Sequence, residues 1–190
     1  MSGFDKRRNK AKYLTDYLDN YLLEQNIPYF ESGYEFYKEY NNAFKISYLK
    51  DTTSQFVRYY PDYTIVGKDK TILIEVKNSS GIEKECFKNY SVLSNDLNID
   101  ILLLCKNKKL CSVKDLVFKN IDSYDSIADM HIPITDSIWK EPRKMNETDY
   151  FNYLKAYNNK TSGCSFDFID FNRTKFFELN ILKHLNYGKR

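Results

Sequence analysis

The chain has no run of 18 apolar residues, so nothing in it is built to cross a bilayer as a helix. Its start shows no charged, apolar and small-residue leader pattern, which points to a soluble cytoplasmic protein, or one of a host cytoplasm or virion if the source is viral. The four cysteines, Cys86, Cys105, Cys111 and Cys164, form no Cys-x-x-Cys pair and have no nearby histidine at zinc spacing. Cys86 and Cys105 stand in apolar surroundings and read as buried thiols in a reducing compartment. Glycine, proline and alanine are scarce while lysine, asparagine and tyrosine abound, a bias that also marks an AT-rich genome. No repeat, linker or heptad interrupts the chain, so one domain is expected and no coiled coil announces an oligomer.

What is present suits a globular protein. Hydrophobic residues make up 42% of 190, enough for one good core. The net charge of +3 says little alone, but its distribution says more. Lys6, Arg7, Arg8, Lys10 and Lys12 form one basic group, Lys106, Lys108 and Lys109 a second, and Lys140, Arg143 and Lys144 a third. Such groups are usually solvated faces; three of them around an acidic motif favour a phosphate-bearing partner.

That motif lies between Arg58 and Gly81. Tyr60–Val66 and Thr71–Val76 are β-branched and aromatic runs, separated by the turn residues Gly67-Lys68-Asp69-Lys70. Pro61 has no N–H for a ladder and belongs at a strand start or bulge, with Asp62 directly after it. Glu75 and Lys77 are two residues apart and so share one face of an interior strand. Asp62 and Glu75, brought together across neighbouring strands, would repel unless a cation lay between them. Oxygen ligation suits Mg²⁺ or Mn²⁺, with the Val76 carbonyl as a further ligand. Such a metal activates water for phosphodiester hydrolysis, and Lys77 would position or deprotonate that water or neutralise the transition state.

Pro61-Asp62 followed by Glu75-Val76-Lys77 resembles the signature of the PD-(D/E)xK nuclease superfamily. The form Tyr-Tyr-Pro-Asp-Tyr with Leu-Ile-Glu-Val-Lys is most similar to small phage head-completion nucleases and the endonuclease subunit of some transposases. The likeness covers roughly residues 10–105. It implies a restriction-endonuclease-like α/β core, a mixed sheet flanked by helices, over residues 1–121, with an α+β extension over 122–190. It implies a Mg²⁺- or Mn²⁺-dependent endonuclease acting on DNA, in phage or mobile-element DNA processing, with Asp62 and Glu75 as metal ligands and Lys77 at the water. RNA is a second substrate class, since related viral cap-snatching endonucleases use similar residues. The first helix of the family carries another acid; Asp16 is the candidate here, with Asp19, Glu24 and Glu35 as rivals, and the usual Ser-x-x-Glu form is absent from that helix. Arg58, Ser79, Lys84, Lys88, Lys140 and Arg143 are the candidate nucleic-acid contacts.

Along the chain, a helix is expected over Lys10–Gln25, strands near 28–37 and 43–50, and a strand over Phe56–Val66 feeding the turn. After the motif come a helix over 82–96 and a buried strand over 99–105, parallel to Thr71–Lys77. A short strand is expected over Leu110–Val113 and a short helix over Lys114–Ile121. Farther on, Ile132–Ile134 reads as extended, 147–158 as a helix, Phe166–Phe171 as a strand and Lys175–Leu185 as a closing helix. The grouping of Asp125, Asp129, His131 and Asp136 reads as structural. Symmetric cutting of a duplex would require a homodimer, and a viral or recombination complex is another setting. Two other classes compete: a catalytically inactive nuclease-fold component of an assembly, and a metal-independent nucleic-acid-binding module.

Overall fold

The computed structural model describes residues 3–33, 52–79, 81–119, 132–135, 138–140 and 166–185. Helix α1 spans Gly3–Glu24. Leu14, Leu18 and Leu22 recur every four residues and are fully buried, so one stripe drives the helix onto the sheet. Asn26 ends it in the left-handed region at φ 51°. Its N–H donates to the Leu23 carbonyl and the Ile27 N–H to that of Leu22, a Schellman closure with Ile27 packed in the same apolar cluster as Leu22.

Strand β1, Tyr29–Glu31, covers part of the expected 28–37 strand; the rest of it beyond Gly33, and the strand expected at 43–50, lie outside the described residues. The next element corrects the sequence expectation. Thr52–Arg58 is a helix, α2, where a strand had been expected from Phe56, and strand β2 begins only at Tyr63 and runs to Val66. Phe56 and Tyr60 are four residues apart, and their rings lie 5.7 Å between centroids, a contact that a helical turn supplies and a strand does not. Pro61 then disfavours the helical conformation at Tyr60 and stops the turn.

Strand β2 pairs antiparallel with β3, Thr71–Lys77, in the register Tyr63–Ile74 to Val66–Thr71. At the turn Gly67 donates to the Lys70 carbonyl; a Cβ there would lie 2.7 Å from that oxygen and 2.8 Å from Leu185 Cδ2, so glycine alone fits. A short strand β4, Gly81–Glu83, precedes helix α3, Lys84–Asn95, so the helix expected from residue 82 starts two residues later. Strand β5, Asp100–Cys105, lies parallel to β3, and β6, Leu110–Ser112, returns antiparallel to it. The result is a mixed five-stranded sheet in the order β1-β2-β3-β5-β6, with helices, as an α/β class requires.

Its two faces carry separate cores. Ile72, Ile74, Leu102 and Leu104 face Leu18 and Leu22 of α1. Leu73, Ile101 and Leu103 face Cys86, Tyr90 and Leu93 of α3. Strand β5 is thus apolar on both sides, which explains its unbroken hydrophobic run.

The chain after β6 departs from expectation. Instead of a helix over Lys114–Ile121 there is a 3₁₀ turn at Val113–Asp115, and Phe118 bridges to Ile169. The Val117 N–H donates to Thr174 Oγ1 and the Lys119 N–H to the Phe168 carbonyl, so distant partners replace the helical ones. Strands β7, Ile132–Thr135, and β8, Ile138–Lys140, form a hairpin that includes the expected extended segment. Strand β9, Phe166–Phe168, pairs with β4, and the expected strand to Phe171 continues only as the bridge at Ile169. Of the closing helix expected over Lys175–Leu185, only Ile181–His184, α4, is helical; Phe177 is extended and exchanges both backbone bonds with Leu110. The helix expected over 147–158 and the acidic grouping around His131 lie outside the described residues. No helix among the described residues is long and apolar enough to cross a membrane.

Candidate active site

Proline sets up the site. Continuing the β2–β3 register beyond Tyr63–Ile74 would set Asp62 against Glu75 and Pro61 against Val76. An ordinary antiparallel pair would exchange both backbone bonds there, but Pro61 has no N–H to give the Val76 carbonyl. The Pro61 carbonyl is taken instead by the Ser32 hydroxyl at 2.9 Å. The Val76 N–H donates to Asp62 Oδ2 at 2.8 Å, so the acid's side chain replaces a ladder acceptor. Two further donors, the N–H groups of Ser32 and Gly33, hold the Asp62 carbonyl at 2.7 and 3.2 Å. Asp62 is therefore fixed at both its backbone and its carboxylate.

Glu75 and Lys77 extend the side of β3 that carries Leu73, the side covered by α3. Glu75 is buried, with 8% of its surface exposed, and its Oε1 meets Lys77 Nζ at 2.6 Å. Burial works against the Lys77 charge, but Glu75 and, more weakly, Asp62 outweigh it and hold the ammonium well above the ordinary lysine range. Lys77 is thus a fixed cation at neutral pH. Cys86, in the first turn of α3, faces the pair; burial pushes its thiol up to about 12, against the pull of Lys77. Cys86 packs in the apolar cluster with Tyr90 and Leu93. Burial, then Glu75, raises the neighbouring Tyr90 hydroxyl as well.

Among the described residues no three His, Cys, Asp or Glu side chains gather in a group suited to a metal ion. What the strands offer is two carboxylates, Asp62 and Glu75, and the Val76 carbonyl, which points to the same strand edge as the N–H held by Asp62. This all-oxygen set fits a hard divalent ion that keeps waters and takes its other ligands from a phosphate. Comparison with protein-family models, characterised proteins and solved structures returned no match to this chain.

The other sequence candidates fall in different places. Asp16 is exposed on the side of α1 opposite the Leu14–Leu18–Leu22 stripe, and α1 covers the sheet face away from Glu75 and Lys77. Helical geometry turns it away from Asp62 and Glu75, so it is not brought to the site. Its rival Glu24 is likewise exposed, Glu35 lies outside the described residues, and Asp19 is half-buried beneath Tyr63. Arg58 lies 3.8 Å from Glu83 and over the Tyr59 ring. Lys84 reaches Asp167 at 3.5 Å, and Lys88 reaches Glu85 at 4.0 Å from a largely exposed position. Ser79 lies beside the site in the loop after β3 and donates to the Gly81 carbonyl at 3.4 Å. Lys140 ends β8, and Arg143 lies outside the described residues.

Sequence reasoning missed Ser32, which clamps Pro61 and accepts from Thr64 Oγ1 at 3.0 Å. It also missed Tyr13, whose hydroxyl lies 3.1 Å from Asn78 Oδ1 and 3.3 Å from the Lys106 carbonyl. Neither belongs to a spaced motif. Only the fold brings residues 32 and 61, or 13 and 106, together.

Proposed function

We propose that this protein is a metal-dependent endonuclease of the PD-(D/E)xK kind, hydrolysing DNA phosphodiester bonds with Mg²⁺ or Mn²⁺. One observation carries the reading: the 2.8 Å bond from the Val76 N–H to Asp62 Oδ2 locks Asp62 across from the buried Glu75 and its half-buried partner Lys77. A mixed sheet with helices on it is also the class of core that the motif's resemblance implies. Asp62, Glu75 and the Val76 carbonyl would hold the ion. Bound there, it would lower the pKa of a water and offset charge on the phosphate. Lys77, paired with Glu75, would place a positive charge towards a phosphoryl oxygen or position the water.

A second reading, an inactive nuclease-fold component of a viral or other assembly, is favoured by the outward position of Asp16, which leaves two acids where the family has three. One experiment separates them: supercoiled, linear, single-stranded and branched DNA, and RNA, are incubated with Mg²⁺, Mn²⁺ or EDTA. Wild type is compared with Asp62→Ala and Lys77→Ala. Cutting that needs metal and is lost in both variants is the expected result. No cutting by any form, with nucleic-acid binding unchanged, would replace the enzyme by the inactive component.

A further inference from the structure

The basic turn after β5 was one of three lysine groups in the sequence, and the fold gives it a particular place. Strands β3 and β5 are parallel, with Lys77 in register with Cys105, so both end at one edge of the sheet. Lys106 follows Cys105 directly, as Asn78 follows Lys77, and Tyr13 bridges the two at 3.1 and 3.3 Å. The separation is one strand spacing, about 4.8 Å, the scale of one to two nucleotide rises of about 3.4 Å.

The side chain of Lys106 is also on the right side. Its Nζ stands 5.1 Å over the Phe171 ring, which is stacked on Phe176 and packs against the α3-side core, the face that carries Glu75 and Lys77. Phe171 orients the exposed ammonium without neutralising it. Lys108, in the left-handed region at φ 60°, stands 4.8 Å over Tyr17 on the other face. Neither Lys106 nor Lys108 has a carboxylate partner among the described residues. Arg58, Lys84, Lys88 and Lys109 each lie within 4.0 Å of one.

We propose that Lys106, set over Phe171 at the shared end of β3 and β5, binds the backbone phosphate next to the one seated at Asp62, Glu75 and Lys77. The partner is a nucleic-acid strand read by charge and not by base, and the inference rests on the nuclease reading. The test is binding of a labelled 20-base-pair DNA duplex in EDTA, so that hydrolysis does not intervene, over a range of salt. Lys106→Ala is expected to weaken binding about three- to tenfold and to reduce the slope of log K against log salt by about one. Lys106→Arg is expected to restore both. Lys109→Ala, whose ammonium already lies 2.7 Å from Glu178, is expected to change little. Unchanged affinity and slope in Lys106→Glu, in a preparation whose wild type binds, would overturn the assignment of Lys106 and leave the nuclease reading standing if metal-dependent cutting persists. A wild type that neither binds nor cuts any substrate would overturn both.

Discussion

Lys77 carries the positive charge of the proposed site, and two opposed effects act on that charge. Burial alone would lower its pKa; the carboxylate of Glu75 at 2.6 Å, helped by Asp62, raises it instead. A group raised in this way contributes stability fully below the usual lysine range and loses it only as pH climbs through the raised value. Between pH 6 and 9, in EDTA, stability is expected to show no titration of Lys77. Lys77→Met is expected to cut the single-turnover rate about 10²–10³-fold, and Lys77→Arg to recover part of it. A rate in Lys77→Met within threefold of wild type would remove the residue from the mechanism. Asp19 is the opposite case. Burial raises its carboxyl, against hydroxyls of Tyr63 and Tyr29, and its Oδ1 is buried with no hydrogen-bond partner. A carboxyl raised by folding weakens the fold when ionised, and this penalty fades as pH falls through its folded value. Asp19→Asn is therefore expected to raise Tm at pH 7.5 by about 2–4 °C, on the order of 1 kcal/mol, and by less at pH 4.5. Equal shifts at both pH values would assign the effect to packing.

At the level of elements, single backbone positions decide where helices stop. Asn26 closes α1 at φ 51°, a conformation that costs a branched side chain about 1–2 kcal/mol. Asn26→Val is expected to lower stability by about that amount in urea unfolding, and Asn26→Gly to leave it level or slightly higher; a neutral Asn26→Val would mean that the cap is not needed. The elements legible in the sequence were those with strong local signals. The Leu14–Leu18–Leu22 stripe, the turn at Gly67–Lys70 and the apolar run of β5 announced themselves by period, turn chemistry and length. The misread ones had local preferences that tertiary contacts overrode. Phe56 and Val57 favour a strand by type, yet the Phe56–Tyr60 contact and the stop at Pro61 make that stretch a helix. Lys175–Asn180 has helical spacing, yet Phe177 is claimed by the edge strand at Leu110. The site divides in the same way. The juxtaposition of Asp62 with Glu75 and Lys77 was legible because they lie at the ends of two consecutive strands joined by a short turn. Asp16 is exposed on α1 away from that pair, a placement that sequence does not give because a helix face cannot be assigned to one side of a sheet from sequence alone.

For the molecule as a whole, the decisive question is whether the paired strands form a cation site that is coupled to folding. Asp62 and Glu75 are held by the protein's own groups, the first by the N–H groups of Val76 and Ser32 and the second by Lys77. Such a site binds the native state and not the unfolded chain, so occupancy must stabilise the fold by RT ln(1 + [L]/Kd). At a concentration of 100 Kd that is about 2.7 kcal/mol, or roughly 5–10 °C in Tm for a chain of this size. Thermal unfolding followed through a Mn²⁺ or Mg²⁺ titration is expected to show that rise in wild type at constant ionic strength. It needs no substrate, so it tests the metal independently of any cutting. Asp62→Asn and Glu75→Gln are each expected to abolish most of the rise, because each removes one of the two carboxylates. A Tm flat to 20 mM metal in wild type would argue against a metal bound by the free protein and leave the ion dependent on substrate phosphate. A rise that survives both substitutions would place the ion elsewhere on the chain, and the pair on β2 and β3 would then be no more than an ion-paired strand end.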